Sequence, residues 1–177
     1  MKKTLIIIGI FIAFLITYFF QVNFFNWFTI AGVKPNLFVL FVLFISLFAG
    51  MKVGLSYALF FGLFLDIVLG KNLGSYTIML AAVSVLGWAF DKNFSKDSRF
   101  TIMLMVACST LLFEIGSYIL SIAILNINVE ILPFIKILAI ELIYNAIITI
   151  IIYPMLQFIG YRIEDTFKGQ KILTKYF

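Results

Sequence analysis

The chain contains apolar segments that are too long for the core of a soluble domain. The longest runs from Asn36 to Leu69 and is interrupted only at Gly50, Met51 and Lys52. At about 1.5 Å per helical residue, it exceeds one bilayer crossing, so we expect two helices with a tight turn near Lys52. Because 64% of the 177 residues are apolar and 12% are charged, the sequence predicts an integral membrane protein.

Short polar connections separate six such segments, which predicts a single all-α domain with six transmembrane helices. The expected spans are 4–20, 36–49, 53–69, 75–90, 100–125 and 134–159, followed by a short basic tail at 161–177. The segment 36–49 is short, so a thin span and a re-entrant piece both remain open for it. No small-residue cleavage site follows the first segment, so it is expected to be an uncleaved helix.

The positions of the basic residues predict the orientation. With the N-terminus inside, the outer side carries only Lys34, Lys71 and Lys136, and the other Lys and Arg residues lie on the inner side. This asymmetry satisfies the positive-inside rule with both termini in the cytoplasm. The net charge of +5 is thus explained by topology, and no nucleic-acid partner is expected. The basic tail either lies on the anionic inner leaflet or frays.

Small residues recur at every fourth position through the third span. They are Gly50, Gly54, Ala58, Gly62 and Gly70, and Asp66 occupies the same register. Residues four apart lie near one another on a helix surface, and small side chains let membrane helices approach closely. The pattern predicts a packing face. The face could meet another helix of this chain, the span of a partner protein, or a second copy in a homodimer.

Three carboxylic acids fall within the predicted spans, where ionisable groups are costly. They are Asp66, Glu114 and Glu141, and Asn145 lies four residues after Glu141 on the same helix face. We expect these side chains to be buried in the bundle. Three roles are open for them: hydrogen bonding between helices or capping of loop backbone, docking of another membrane protein, and a proton or cation relay. Asp66 is expected to accept backbone N–H groups at the Lys71–Ser75 turn.

The sequence offers no catalytic or metal-binding set. It contains no His and a single Cys, Cys108, which lies inside an apolar run. The usual zinc ligands and the commonest acid–base residue are therefore missing or isolated. The glycines lie within a span rather than after a strand, so they do not form a phosphate-binding loop. We expect a non-enzymatic protein with no cofactor.

The order of several motifs along the chain is informative. The motifs are Lys34-Pro35-Asn36 before a span, the spaced Gly50 and Gly54, Gly62-Leu63-Phe64-Leu65-Asp66, Leu73-Gly74, Leu112-Phe113-Glu114, and Tyr144-Asn145 followed by Tyr153-Pro154. In order and spacing they resemble the family of rod shape-determining protein MreD. The resemblance implies turn or kink positions at Pro35, Gly74 and Pro154.

The resemblance also implies a function. It points to a scaffold subunit of the bacterial cell-elongation machinery in the plasma membrane, which supports peptidoglycan synthesis. Its implied partners are an MreC-like bitopic protein, an MreB-like filament and the peptidoglycan synthases. A fold similar to the substrate-binding subunits of energy-coupling-factor transporters is implied too. That similarity supplies the alternative function, a membrane subunit that binds a small ligand for a transporter.

Overall fold

The computed structural model describes residues 2–69, 74–125 and 130–169, and these are helical apart from short connections. The main helices are α1 (Lys2–Phe19), α2 (Leu37–Ala49), α3 (Met51–Leu69), α4 (Ser75–Asn93), α5 (Arg99–Leu125) and α6 (Ile131–Phe167). A π-helical turn, Phe20–Phe24, and one further turn, Phe25–Trp27, continue α1. Within the described residues, β pairing is limited to an isolated bridge between Ile30 and Val33.

The all-α membrane architecture predicted from the sequence is confirmed. Among the residues that the structure describes, four helical stretches are long and apolar enough to cross a bilayer: Lys3–Trp27, Met51–Leu69, Arg99–Ile124 and Ile131–Phe167. Helix α2 is apolar but has only 13 residues, and α4 is not among the four. The multi-pass character is therefore established by these four stretches, and crossings by α2 and α4 stay predictions.

Helix α2 occupies the centre of the bundle. Eleven of its 13 residues are buried, and it contacts all five other main helices. A helix that is apolar on every face suits such a position. Its length of about 20 Å is shorter than the roughly 30 Å hydrocarbon core of a bilayer. The unpaired backbone groups at both of its ends must therefore find partners within the protein.

Helices α5 and α6 extend beyond the other helices at one end of the bundle. The ring of Tyr76, next to the start of α4, lies 5.7 Å from the ring of Phe113, and α5 continues about 18 Å past that point. The Tyr144 hydroxyl donates to the carbonyl of Phe28, and roughly 20 Å of α6 precede Tyr144. We call residues 117–125 and 130–140 the projecting hairpin.

The projecting hairpin is apolar and largely uncovered. Its two helices contact each other through the rings of Tyr118 and Phe134, whose centroids are 4.2 Å apart. Its exposed apolar side chains are Ile119, Ile122, Ile124, Ile131, Leu132, Ile135 and Ile137. This surface is therefore available to lipid or to another protein.

Candidate functional site

The small residues of α3 face the inside of the bundle. A Cβ at Gly54 would lie 2.8 Å from the Ser46 Cα of α2, and a Cβ at Gly62 would lie 2.5 Å from the Thr77 Cα of α4. Ala58, between them, is fully buried. The absent side chains therefore let α3 approach α2 and α4 closely, which is the intramolecular alternative among the three predicted for this face.

Gly50, the first glycine of the predicted face, lies before α3 rather than within it. Gly50 separates α2 from α3 with a φ of +87°, a conformation that favours glycine. A Cβ there would make an ordinary contact, 3.6 Å, with the Lys168 side chain. Gly70 lies outside the described residues.

Asp66 holds the start of the next helix. Its Oδ1 accepts the Tyr76 backbone N–H at 2.9 Å, and its Oδ2 accepts both the N–H and the hydroxyl of Thr77, at 3.1 and 2.6 Å. The Asp66 carboxylate, which belongs to α3, therefore caps the N-terminal end of α4. The residue at the N-cap position itself, Gly74, has a φ of +95° and no side chain that could do so. The sequence predicts Asp66 as an acceptor for the Lys71–Ser75 turn. The observed donors, Tyr76 and Thr77, lie one and two residues beyond that turn.

The N-terminal end of α2 is held by three amide side chains. Gln21 accepts the Leu37 N–H at 3.0 Å and donates to the Pro35 carbonyl at 2.8 Å. Asn145 of α6 accepts the Asn36 N–H at 2.8 Å, and Asn36 itself accepts the Val39 N–H at 3.3 Å. These bonds satisfy donors that a helix start leaves free. They also fix the exit from α1 and the middle of α6 against the central helix.

Asn145 connects this end to the remaining predicted polar residues. It is fully buried, and its amide donates to the Thr110 hydroxyl of α5 at 3.0 Å. The neighbouring Glu141 is 6% exposed, and Glu114, Asn36 and Asn145 are among the groups that act on its carboxyl group. The structure thus brings together Glu114, Glu141 and Asn145, three of the four predicted buried polar residues. Asp66 caps α4 separately.

The C-terminal end of α2 meets a network of charged side chains. Lys96 and Lys168 both donate to the Leu47 carbonyl, at 3.1 and 2.6 Å. Lys96 also pairs with Asp91 at 2.7 Å and Glu164 at 2.8 Å, and Lys168 pairs with Asp91 at 2.6 Å. We call these four residues and Leu47 the lysine network. Two ammonium groups at a helix C-terminus complement its dipole and bond its free carbonyls.

The charges of the lysine network stabilise one another despite their burial. Burial raises the pKa of Asp91, but hydrogen bonds from Lys168 and Lys96 outweigh this effect and place that pKa below its ordinary value. Burial lowers the pKa of Lys96, and hydrogen bonds to Asp91 and Glu164 outweigh it, so that pKa is raised. For Lys168, burial is the stronger effect and the pKa is lowered. Lys96 is therefore the more firmly charged of the two lysines.

A comparison with protein families decides the assignment. The family model described as rod shape-determining protein MreD matches residues 1–160 of the 177-residue chain. The chain belongs to the MreD family. The resemblance read from the motifs is thereby confirmed. Neither the search of curated proteins nor the search of solved structures returned a match, so the similarity to energy-coupling-factor subunits stays a prediction.

Of the three positions for which the MreD resemblance implies a turn or kink, Pro35 and Gly74 lie between helices and Pro154 does not. Pro35 supplies the carbonyl that Gln21 binds, and Gly74 takes the left-handed conformation before α4. Pro154 lies inside α6, which continues through it to Phe167. The predicted tail at 161–177 begins as this same helix, and its residues beyond 169 lie outside the described residues.

The lysine network of this MreD family member was missed by the sequence reasoning. The sequence pattern marks Lys96 and Lys168 only as residues of the inner side, and it indicates no role for Asp91 and Glu164. One available signal was the four-residue spacing of Glu164 and Lys168, which favours a side-chain pair on a helix. In the structure the Lys168 Nζ lies 3.6 Å from the Glu164 Oε1. The other was the presence of acids among the basic residues of the inner segments. The family match ends at residue 160, so it excludes Glu164 and Lys168.

Proposed function

We propose that the chain is a non-enzymatic scaffold subunit of the bacterial rod-shape machinery in the plasma membrane. Membership of the MreD family carries this proposal, because the match covers residues 1–160. The partners are those implied by the resemblance: an MreC-like bitopic protein, an MreB-like filament and the peptidoglycan synthases. The chain crosses the bilayer six times with both termini in the cytoplasm.

The use of the buried polar groups supports a scaffold. Gln21, Asp66 and Asn145 each bind backbone groups where a helix begins. Two lysines bind the backbone where α2 ends. Hydrogen-bonding capacity that a ligand site would direct into a cavity is thus used to hold helices together. These contacts favour a scaffold over the transporter alternative.

The lysine network supports a crossing pattern in which α2, α4 and α6 run in the same direction, and in this proposal it lies at the inner boundary of the membrane. The C-terminal ends of α2 and α6 and the residues that follow α4 meet there, as expected for helices that cross in alternating directions. If α6 stands upright in the membrane and its Glu164 lies at the inner boundary, the roughly 30 Å of hydrocarbon ends near Tyr144. On this measure, residues 131–143 lie outside the hydrocarbon core.

We therefore assign the projecting hairpin as the surface that meets the bitopic partner where its single span leaves the bilayer. Apolar side chains in water are unfavourable unless another protein covers them. Leu132 is 83% exposed and Ile131 is 67% exposed, and both lie in the part of α6 placed outside the core. The MreC-like protein is the bitopic member among the implied partners.

Co-purification with the MreC-like protein tests the assignment. The paired variant Leu132→Ala and Ile135→Ala is expected to reduce recovery of the partner, because it truncates two exposed side chains of the hairpin. The matched control, Ile147→Ala and Ile151→Ala, truncates exposed side chains in the part of the same helix that faces lipid. The control is expected to retain the partner.

Thermal unfolding of both variants in detergent distinguishes loss of binding from loss of folding. If the hairpin variant folds and still retains the partner while the control loses it, the hairpin is the wrong surface. If the wild-type chain retains no bitopic partner at all, the scaffold proposal itself is wrong.

A further inference from the structure

A groove runs between α5 and α6 near the end of the bundle that holds the lysine network. Its lining residues are Ile102 and Met103 of α5 and Thr149 and Ile150 of α6, with Arg99 and Tyr153 at one end. The surface that lines the groove is apolar, and the Thr149 hydroxyl is already bonded to the Asn145 carbonyl at 2.7 Å. Ile150 is half exposed, so the groove opens to the outside of the bundle. Along its length it suits a hydrocarbon chain.

A cation is held at the end of this groove. The guanidinium group of Arg99 lies over the Tyr153 ring, with its central carbon 5.8 Å from the ring centroid. The ring is fixed in turn, because its hydroxyl donates to the Asp97 carbonyl at 2.9 Å and accepts the Gln157 amide at 2.6 Å. A guanidinium group over an aromatic face keeps its N–H edge available for an anion.

The charge of Arg99 is not balanced by an ion pair within the described part of the chain. The ion pairs found there all belong to the lysine network, and none includes Arg99. The nearest acid along the chain, Asp97, accepts the hydroxyl groups of Tyr161 and Ser95 instead. The end of the groove is therefore complementary to a negatively charged group.

The groove and its cation have the depth at which a phospholipid is found. Arg99 follows Lys96 of the lysine network by three residues, so it lies near the inner boundary in the crossing pattern proposed above. Met103 lies one helical turn farther along α5, about 6 Å deeper. Passing inwards, a phospholipid presents the same order of chemistry, first an anionic phosphate and then an apolar chain. A lipid of the bilayer also reaches an outward-facing groove without leaving the membrane.

We propose that this groove binds one anionic phospholipid of the inner leaflet. Arg99 holds the phosphate through its N–H groups, which match phosphate geometry, and an acyl chain lies along Ile102, Met103 and Ile150. The bound lipid covers the seam between α5 and α6. The site is independent of the protein partner that the projecting hairpin meets.

Thermal unfolding of the full chain in detergent tests the proposal, with phosphatidylglycerol and phosphatidylcholine of identical acyl chains as the added lipids. A ligand that binds only the folded state raises the unfolding midpoint. Phosphatidylglycerol should produce a given rise at about a tenfold lower concentration, because a hydrogen bond to a charged group is worth at least that factor. Arg99→Gln should abolish this preference. The control Arg162→Gln removes an exposed arginine that lies over the Phe158 ring, outside the groove, and should keep the preference.

A second pair of variants tests the groove without changing charge. Ile150→Phe fills the groove and should weaken the response to phosphatidylglycerol, whereas Ile151→Phe enlarges an exposed neighbour that does not line it and should respond as the wild type does. Midpoints without lipid report whether each variant folds. Equal responses of the wild type to the two lipids, or equal losses in the two arginine variants, would overturn the proposal. If inorganic phosphate alone reproduces the rise, the site binds a free anion and the lipid assignment is wrong.

Discussion

At the scale of single residues, the close approach of α3 to α4 depends on the missing side chain of Gly62. A Cβ there would lie 2.5 Å from the Thr77 Cα, which is backbone and cannot rotate away. Gly62→Ala is therefore expected to lower the free energy of unfolding by about 1–3 kcal/mol. Thermal unfolding in detergent measures the change. Gly9→Ala is the control, because nothing lies within 4 Å of a Cβ at Gly9; an equal loss in both variants would contradict this role.

Asp66 is the second residue whose contribution can be isolated. Asp66→Ala removes the acceptor of three hydrogen bonds at the start of α4 and should cost roughly 1–2 kcal/mol of stability, the usual range for loss of a cap. Asp66→Asn keeps one acceptor oxygen and should lose less. The exposed Asp165 provides a matched control through Asp165→Ala. The capping role is wrong if Asp66→Ala unfolds no earlier than that control.

The spacing of Gly54, Ala58 and Gly62 predicts a packing face, but not its neighbours. A four-residue period states which residues share a face, whereas the contacts with Ser46 and Thr77 depend on how α2 and α4 are placed. Asp66 was more predictable, because a carboxylate near the end of one helix is close to the start of the next. Its exact acceptor pattern depends on the turn geometry, which the sequence leaves open.

At the scale of elements, the short central helix depends on what its two ends contact. Lys96→Met removes one ammonium group from the Leu47 carbonyl and from both acids of the lysine network. Breaking a buried pair on one side typically costs about 3–5 kcal/mol, and the Lys96 side chain is only 8% exposed. Unfolding measurements should therefore show a much larger loss than for Lys52→Met, which alters an exposed lysine at the same end. Similar losses in the two variants would argue against the network.

The pKa of Asp91 gives the lysine network a pH dependence with a defined sign. Because the folded pKa lies below the ordinary value, ionised Asp91 contributes stability above the ordinary pKa of about 4. This contribution is lost as the pH falls through the folded pKa. As the pH is lowered below about 4, the thermal unfolding midpoint of the wild type should thus fall by more than that of Asp91→Asn. Parallel acid profiles for the two proteins would exclude Asp91 as a source of this stability.

The termini of α2 were harder to anticipate than its existence. An apolar run between Asn36 and Gly50 predicts a helix, and the short length already raised the question of whether it spans. The partners at its ends come from Gln21, Asn145, Lys96 and Lys168, which are far apart along the chain. Hydropathy patterns carry no information on such long-range contacts.

At the scale of the whole molecule, hydropathy predicts where helices occur but not what covers them. The apolar residues of α5 and α6 were assigned to two spans, 100–125 and 134–159. The structure extends α6 over Ile131–Phe167, about 55 Å, which is longer than an upright crossing requires. An apolar side chain has the same hydropathy beside lipid as beside a protein partner, so hydropathy alone does not tell whether the projecting hairpin meets lipid or protein.

Cysteine labelling with a membrane-impermeant reagent tests the arrangement of the bundle in the membrane most directly. In a Cys108→Ala background, single cysteines at Ile135, Asn93 and Ile151 report the hairpin, the end of α4 and the lipid-facing part of α6. We predict labelling of Ile135→Cys in intact cells, labelling of Asn93→Cys only after permeabilisation, and no labelling of Ile151→Cys. Labelling of Asn93→Cys in intact cells, or an Ile135→Cys that stays unlabelled under both conditions, would contradict a six-crossing scaffold with its hairpin outside the bilayer.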